Sequence, residues 1–222
     1  AYGLTYLKEE IWAEHIIREL DPFRRFLPVA AQANGTILNY SKIARDVGVD
    51  YKTVQSYFAI LEDTLLGFFL ESYHPSIRKQ QRQAPKFYFF DTGVQRALEN
   101  TLDVPLKTGT YYFGNVFEHW LMAEIYRLNH YFKTEYRFSY LLTKDRAEID
   151  LIVERPGKHI LIIEMKSTHR PDPLEAKKLE FFLEDFPGAK AYLLCTVQRP
   201  QQMGKVLCLP WEEGIARIFE KS

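Results

Sequence analysis

The chain has 222 residues, enough for two modest domains that each bury a core. Its 46% hydrophobic and 15% aromatic content excludes a disordered or low-complexity protein. Its 29 basic side chains balance 29 acidic ones, which excludes a broadly polycationic nucleic-acid binder, so any contact with a polyanion has to be local.

In chain order, the first element is a helix over Thr5 to Leu20, with Leu7, Ile11, Ile16 and Leu20 at helical spacing. The sequence starts at Ala1 as if already inside a helical approach and reads as a piece of a longer protein. Asp21-Pro22 then suits a cap followed by a first-turn proline, opening a second helix to Gln32 that Pro28 would strain. Asn39 caps a short helix through Ile43, Ala44 and Val47, Gly48 turns the chain, and Asp50 caps a longer helix that carries Val54, Phe58, Leu61 and Leu65 inward. This is helix-turn-helix spacing, and it sets Tyr51, Lys52, Gln55 and Ser56 outward, residue types that reach base edges or phosphates. Two strand-like runs follow, Phe68 to Tyr73 and Lys86 to Phe90, and the loop between them holds Arg78, Lys79 and Arg82 with no acid. The first half therefore reads as a winged helix, residues 1–103, with Lys52, Gln55, Arg78, Lys79 and Arg82 as DNA contacts. With 12 basic and 13 acidic side chains it is not a basic domain, and a winged helix can equally be a protein-docking module.

The second half, residues 104–222, carries 17 basic and 16 acidic side chains. A short helix from Thr92 to Asn100 and a linker from Pro105 to Gly109 lead into a long helix through Phe113 to Leu128. Its buried stripe is Phe117, Leu121, Ile125 and Leu128; Glu118 lies beside the stripe, and His119 reads as a packing or surface residue. Strands follow at Tyr136 to Leu142, around Asp150, and around Glu164. A helix then starts at Asp172-Pro173 with Leu174, Leu179, Phe182 and Leu183, and Lys190 to Thr196 is a further strand. Arg170, Lys177 and Lys178 lie just beyond Lys166 and could contact phosphates, although on a surface helix such residues are more often solvent-facing charges. Cys195 and Cys208, each in an apolar run without metal-ligand spacing, read as a reduced pair in a cytoplasmic protein. The apolar stretches are too short to span a bilayer, so no membrane partner is expected.

The segments 147–153 and 161–166 are the most informative, because they set Asp150, Glu164 and Lys166 into apolar strands, a costly placement. Pro156-Gly157 turns the chain between them, which makes them antiparallel neighbours and brings Asp150 near Glu164. Such an oxygen-rich pocket suits a hard divalent cation, Mg²⁺ or Mn²⁺, held by Asp150, Glu164 and Glu118, and Lys166 could orient water or stabilise charge on phosphorus. The bland reading of the same residues is an edge-strand ion pair and a solvated strand end.

Asp150, Glu164-x-Lys166 and the helical Glu118 resemble the signature of the PD-(D/E)XK nuclease superfamily, although Ile149 stands where the superfamily name has proline. The resemblance implies an α/β (α+β) architecture, a winged helix-turn-helix followed by a mixed sheet flanked by helices, with Asp150, Glu164, Lys166 and Glu118 as catalytic residues. The chain as a whole is similar to the C-terminal region of a family of prokaryotic AAA+ superfamily ATPases, through segments 38–49, 87–93, 113–118, 143–150 and 163–167. In that family a P-loop module precedes these segments. No Gly-x-x-x-x-Gly-Lys-Ser/Thr sequence occurs here, so ATP would belong to that module alone. The implied partners are DNA and the protein's own ATPase module, with room for a homo-oligomer. The rival expectation is a catalytically silent nuclease-fold domain that docks proteins or regulates the ATPase.

Overall fold

The computed structural model, which describes residues 20–74 and 83–220, separates two units, with one boundary inside the first strand and the other after Pro105. One holds the described residues up to Phe69 together with Ala84–Pro105, and the other holds the described residues from Leu70 on and from Leu106 on. The expected helix over 5–20, except its last residue, and the cations Arg78, Lys79 and Arg82 lie outside the described residues. The protein is a mixed α/β fold, with seven helices and eight strands among those residues.

In the first unit, α1 (Leu20–Gln32) buries Phe23, Phe26, Leu27, Ala30 and Ala31 on one face. The helix runs through Pro28 although proline leaves the Arg24 carbonyl without its helical donor, because apolar residues on both sides of Pro28 share one core. Helix α2 (Tyr40–Val47) begins at Asn39, whose side chain accepts from the Lys42 N–H, and ends at Gly48 in the left-handed region at φ 78°. Helix α3 (Tyr51–Asp63) is capped by Asp50, which accepts from the Lys52 and Thr53 N–H groups. Val54, Phe58 and Leu61 turn inward as expected, and the Phe58 ring meets Phe26 and Phe87 with centroids 4.9 and 5.0 Å away.

Leu65 departs from expectation: it is 76% exposed. The helix has ended at Asp63, and Leu65 adopts φ 57° in the turn, so the next residue, Leu66, packs on the core in its place. Strands β1 (Gly67–Ser72) and β2 (Lys86–Phe89) are neighbours, and a side chain at Gly67 would run into the Phe87 ring and the Tyr88 carbonyl. The segment after α1 adds to β2: Gly35 N–H donates to the Phe87 carbonyl and Leu38 N–H to the Pro85 carbonyl. Helix α4 (Thr92–Leu98), capped by Asp91, closes the unit.

The second unit is a sheet between helices. Helix α5 (Tyr111–Phe132) precedes β3 (Arg137–Leu142), β4 (Glu148–Glu154) and β5 (Leu161–Met165); α6 (Pro173–Asp185) leads to β6 (Lys190–Cys195). The chain then adds β7 (Gln201–Met203), β8 (Val206–Pro210) and α7 (Trp211–Phe219). Of these, only the apolar run around Cys208 was legible as strand. The strand order is β1-β3-β4-β5-β6-β8-β7, and β1 takes part through Glu71 and Ser72, which pair in parallel with Ser139 and Tyr140. The β3/β4 and β4/β5 pairs are antiparallel, joined by the turns at 143–147 and at Pro156-Gly157, whereas β5/β6 and β6/β8 are parallel.

Helix α6 packs Ala176, Leu179 and Phe182 on Ile149, Ile152, Ile162 and Leu193. The opposite face takes α5 and α7, joined edge to face by Trp120 and Trp211 at 4.6 Å. Leu174 does not join the core; at the start of α6 it is 69% exposed.

Candidate active site

Asp150 sits where β4 bulges. Leu141 pairs with Ile149 but Ser139 pairs with Ile152, so three β4 steps match two on β3 and the extra residue falls at 150–151. On the other side, the β4/β5 register runs from Val153↔Leu161 to Leu151↔Ile163. Beyond it Lys166 N–H points to the Leu194 carbonyl of β6, and the Met165 N–H, on the β4 side, donates to Asp150 Oδ2 at 2.8 Å. A buried carboxylate thus takes a place in the ladder that a backbone carbonyl would otherwise fill, which fixes its position.

Glu164 alternates with Ile162 on the face covered by α6 and is 1% exposed. Its Oε1 accepts from Lys166 Nζ at 2.7 Å and from Lys178 Nζ at 3.2 Å. Its Oε2 is buried and accepts no hydrogen bond among the described residues. Burial pushes the Glu164 carboxyl up to about 7; neighbouring Asp150 adds to the shift, and the two lysines oppose it. For Lys166 burial disfavours the ammonium, but the charges of Asp150 and Glu164 outweigh it and hold the group above its ordinary range, so it stays protonated. Both lysine side chains are about a third exposed, so their pairs with Glu164 are partly wetted.

Two contributors were missed from the sequence. Lys178, taken as a solvated charge, reaches Glu164 from α6. Glu175, one helical turn before it, adds to the field on Lys166, and its Oε2 is buried without a hydrogen bond among the described residues. The signal was present in the first turn of the Asp172-capped helix, where positions 175 and 178 lie on one face.

A cleft of about 990 Å³ opens beside these groups, lined by Tyr111, Glu118, Lys166, Arg170, Glu175 and Thr196 among others. It lies past the ends of the parallel strands β5 and β6, beside the first turns of α5 and α6, where open sheets of this kind bind ligands. Asp150 and Glu164 do not line it. Glu118 faces the cleft from α5, and the expected three-acid cage is not formed: among the described residues no three His, Cys, Asp or Glu side chains are placed to hold one metal ion. Glu118 stands on the helical wall, whereas the other two acids lie within the sheet. His119 is buried on α5, in keeping with a packing role.

In the first unit, Lys52 and Gln55 are exposed on α3, and Gln55 Nε2 donates to the Tyr51 hydroxyl at 3.4 Å. No helix among the described residues is long and apolar enough to cross a membrane.

Residues 1–104 match a family model described as a domain of unknown function, DUF8612, and residues 113–213 match a second, DUF4143. The second match fits an AAA+ ATPase-associated region, the coarse part of the resemblance. The uncharacterized proteins Rv2008c of Mycobacterium tuberculosis and Mb2031c of Mycobacterium bovis are each 27% identical over 162 residues, which is 71% of this chain and 35% of theirs. The chain thus spans about a third of the length of the curated relatives it matches. Among solved structures, an assembly of Thermococcus gammatolerans McrB AAA+ hexamers with bound McrC is similar over 89% of this chain and 51% of its own, at 9% identity and a TM-score of 0.33. A score that low does not establish a common fold.

Proposed function

We propose that the second unit is a nuclease-like domain for metal-dependent phosphodiester hydrolysis, and that the first is a winged helix presenting DNA to it. The observation that carries this reading is the unpartnered, buried Glu164 Oε2 beside Asp150. A hard cation fits that oxygen, because Oε2 accepts from no donor among the described residues while Oε1 takes both lysines, and Mg²⁺ needs only one or two carboxylates when phosphate and water complete its shell. Asp150 and Glu164 would hold it, with Glu118 in the outer cleft. When bound, it would polarise the phosphate and acidify a water molecule. The Lys166 ammonium, held charged, would stabilise negative charge gathering on the phosphoryl oxygens. Lys178 would fix the Glu164 carboxylate through Oε1, leaving Oε2 for the ion.

In the full-length protein the working partner would be its own AAA+ ATPase module, by the resemblance, in a cytoplasmic assembly with room for a homo-oligomer. A second reading has its own observation: Lys166 and Lys178 already place two positive charges on Glu164, as a silent, internally neutralised site would. Calorimetry with Mn²⁺ and a nicking assay on linear and branched DNA separate the two. The parent should bind the metal and cut; Asp150→Asn and Glu164→Gln should lose both, whereas Lys166→Ala should keep the metal and lose cleavage. A parent that binds no metal and cuts nothing leaves the silent reading.

A further inference from the structure

The cleft says what form of nucleic acid the site would take. Tyr111, the first residue of α5, lines it and is 86% exposed, so the ring adds little to the core. Arg170 is exposed on the same cleft, and its guanidinium has no hydrogen-bond or ion-pair partner among the described residues. The rim that carries it is fixed: Thr168 Oγ1 accepts from the Arg170 N–H, and the Thr168 carbonyl accepts from the Thr196 N–H next to β6.

Charge decides between a duplex and a single strand. Only two cations, Lys166 and Arg170, line the cleft, beside the acids Glu118, Asp172 and Glu175, so it offers contacts to about one or two phosphates at most, whereas tight duplex binders make roughly 6 to 10. Size agrees, since about 990 Å³ is the upper range of small-ligand pockets and holds a nucleotide or two, not a closed duplex. Exposed aromatic rings beside isolated cations are the means by which single strands are held, base on ring and phosphate on cation.

We infer that the cleft binds a short single-stranded stretch of DNA, one base stacked on Tyr111 and one phosphate between Lys166 and Arg170. This rests on the nucleic-acid reading of the site and adds the substrate form. Single-strand ends, flaps or frayed junctions would then enter, and an intact blunt duplex would not.

The test is fluorescence anisotropy with the whole chain in EDTA, which removes metal and cleavage from the measurement. The probes are a labelled oligothymidylate and a blunt duplex, over a range of KCl concentrations. The parent should bind the single strand with a log–log salt slope of about −0.7 to −1.4, for one or two phosphates. Tyr111→Ala should weaken it by about 5- to 100-fold, Tyr111→Phe should restore it, and Arg170→Ala should flatten the slope by about 0.7. Duplex binding through the first unit should ignore Tyr111. Equal single-strand affinity for the parent and Tyr111→Ala overturns the inference, as does an absence of single-strand binding or an equal loss on both probes. The hydrolytic reading fails separately, in the Mn²⁺ and nicking measurements on Asp150→Asn.

Discussion

A carboxyl group that burial and a neighbouring carboxylate push up to about 7 binds a proton in the folded chain over a range in which the unfolded chain, at its ordinary value near 4.5, has released it. For Glu164 the sign follows. The folded state holds more protons between about pH 4.5 and 7, so the group's contribution to stability is present at acid pH and is lost as pH rises through about 7. Urea melts of the parent at pH 5 and pH 8 should therefore show a loss at the higher pH that Glu164→Gln largely removes; the same slope in both proteins sinks the assignment. Added Mg²⁺ should oppose the loss, because metal binds the ionised carboxylate and its affinity rises with pH over the same window. Lys178→Met should make Glu164 harder still to ionise, since one of its two ammonium partners is gone. The same melts read this as a steeper decline with pH in the variant.

Among the elements, two glycines of the first unit fail for different reasons, and substitution can tell them apart. Gly48 ends α2 at φ 78° with open space around its missing side chain. Gly48→Ala should cost about 1 kcal/mol and Gly48→Asn less, because asparagine tolerates the left-handed region. Gly67 has an ordinary backbone, but the Phe87 ring and the Tyr88 carbonyl stand where a side chain would go. Gly67→Ala should cost roughly 1–3 kcal/mol, and no other residue should rescue it, since the obstacle is volume. Chemical denaturation of the four proteins checks both. At the core of the same unit, Phe58→Ala removes a fully buried ring that touches α1 and β2, and should cost about 3–5 kcal/mol. In the second unit the site is built where the β4/β5 ladder ends at Leu151↔Ile163, beside the bulge against β3, because a ladder continued past that point would leave no Met165 N–H for Asp150 to accept from. Asp150→Ala should destabilise by roughly 1–3 kcal/mol by leaving that donor buried and unpaired, while Asp150→Asn keeps an acceptor there and should cost less.

For the whole molecule, the two units predict two separable losses. Lys52→Ala on α3 should weaken duplex binding and reduce its salt slope by about 0.9, measured by anisotropy, without changing Mn²⁺ affinity. Glu164→Gln should do the reverse. A chain in which Lys52→Ala leaves duplex binding untouched would make the first unit a docking module. What the sequence determined by itself was local: the capped helices at Asn39, Asp50 and Asp172, the turn at Pro156-Gly157, and the placement of Asp150 and Glu164 on two adjacent antiparallel strands, with Lys166 just past the end of the second. Periodicity and caps act over a few residues, so they can be read without knowing what lies across the core. Leu65 and Leu174 were misplaced because a helix's register says which way its residues point only while the helix lasts and only where something covers it. The end of the β4/β5 ladder at which Asp150 takes the Met165 N–H, the reach of Lys178 to Glu164, and the standing of Glu118 and Glu175 on the cleft wall were decided by the tertiary structure alone. Each depends on which segments pack together across a sheet, and a charge counted as solvated in the sequence becomes an ion-pair partner only when folding buries an acid beside it.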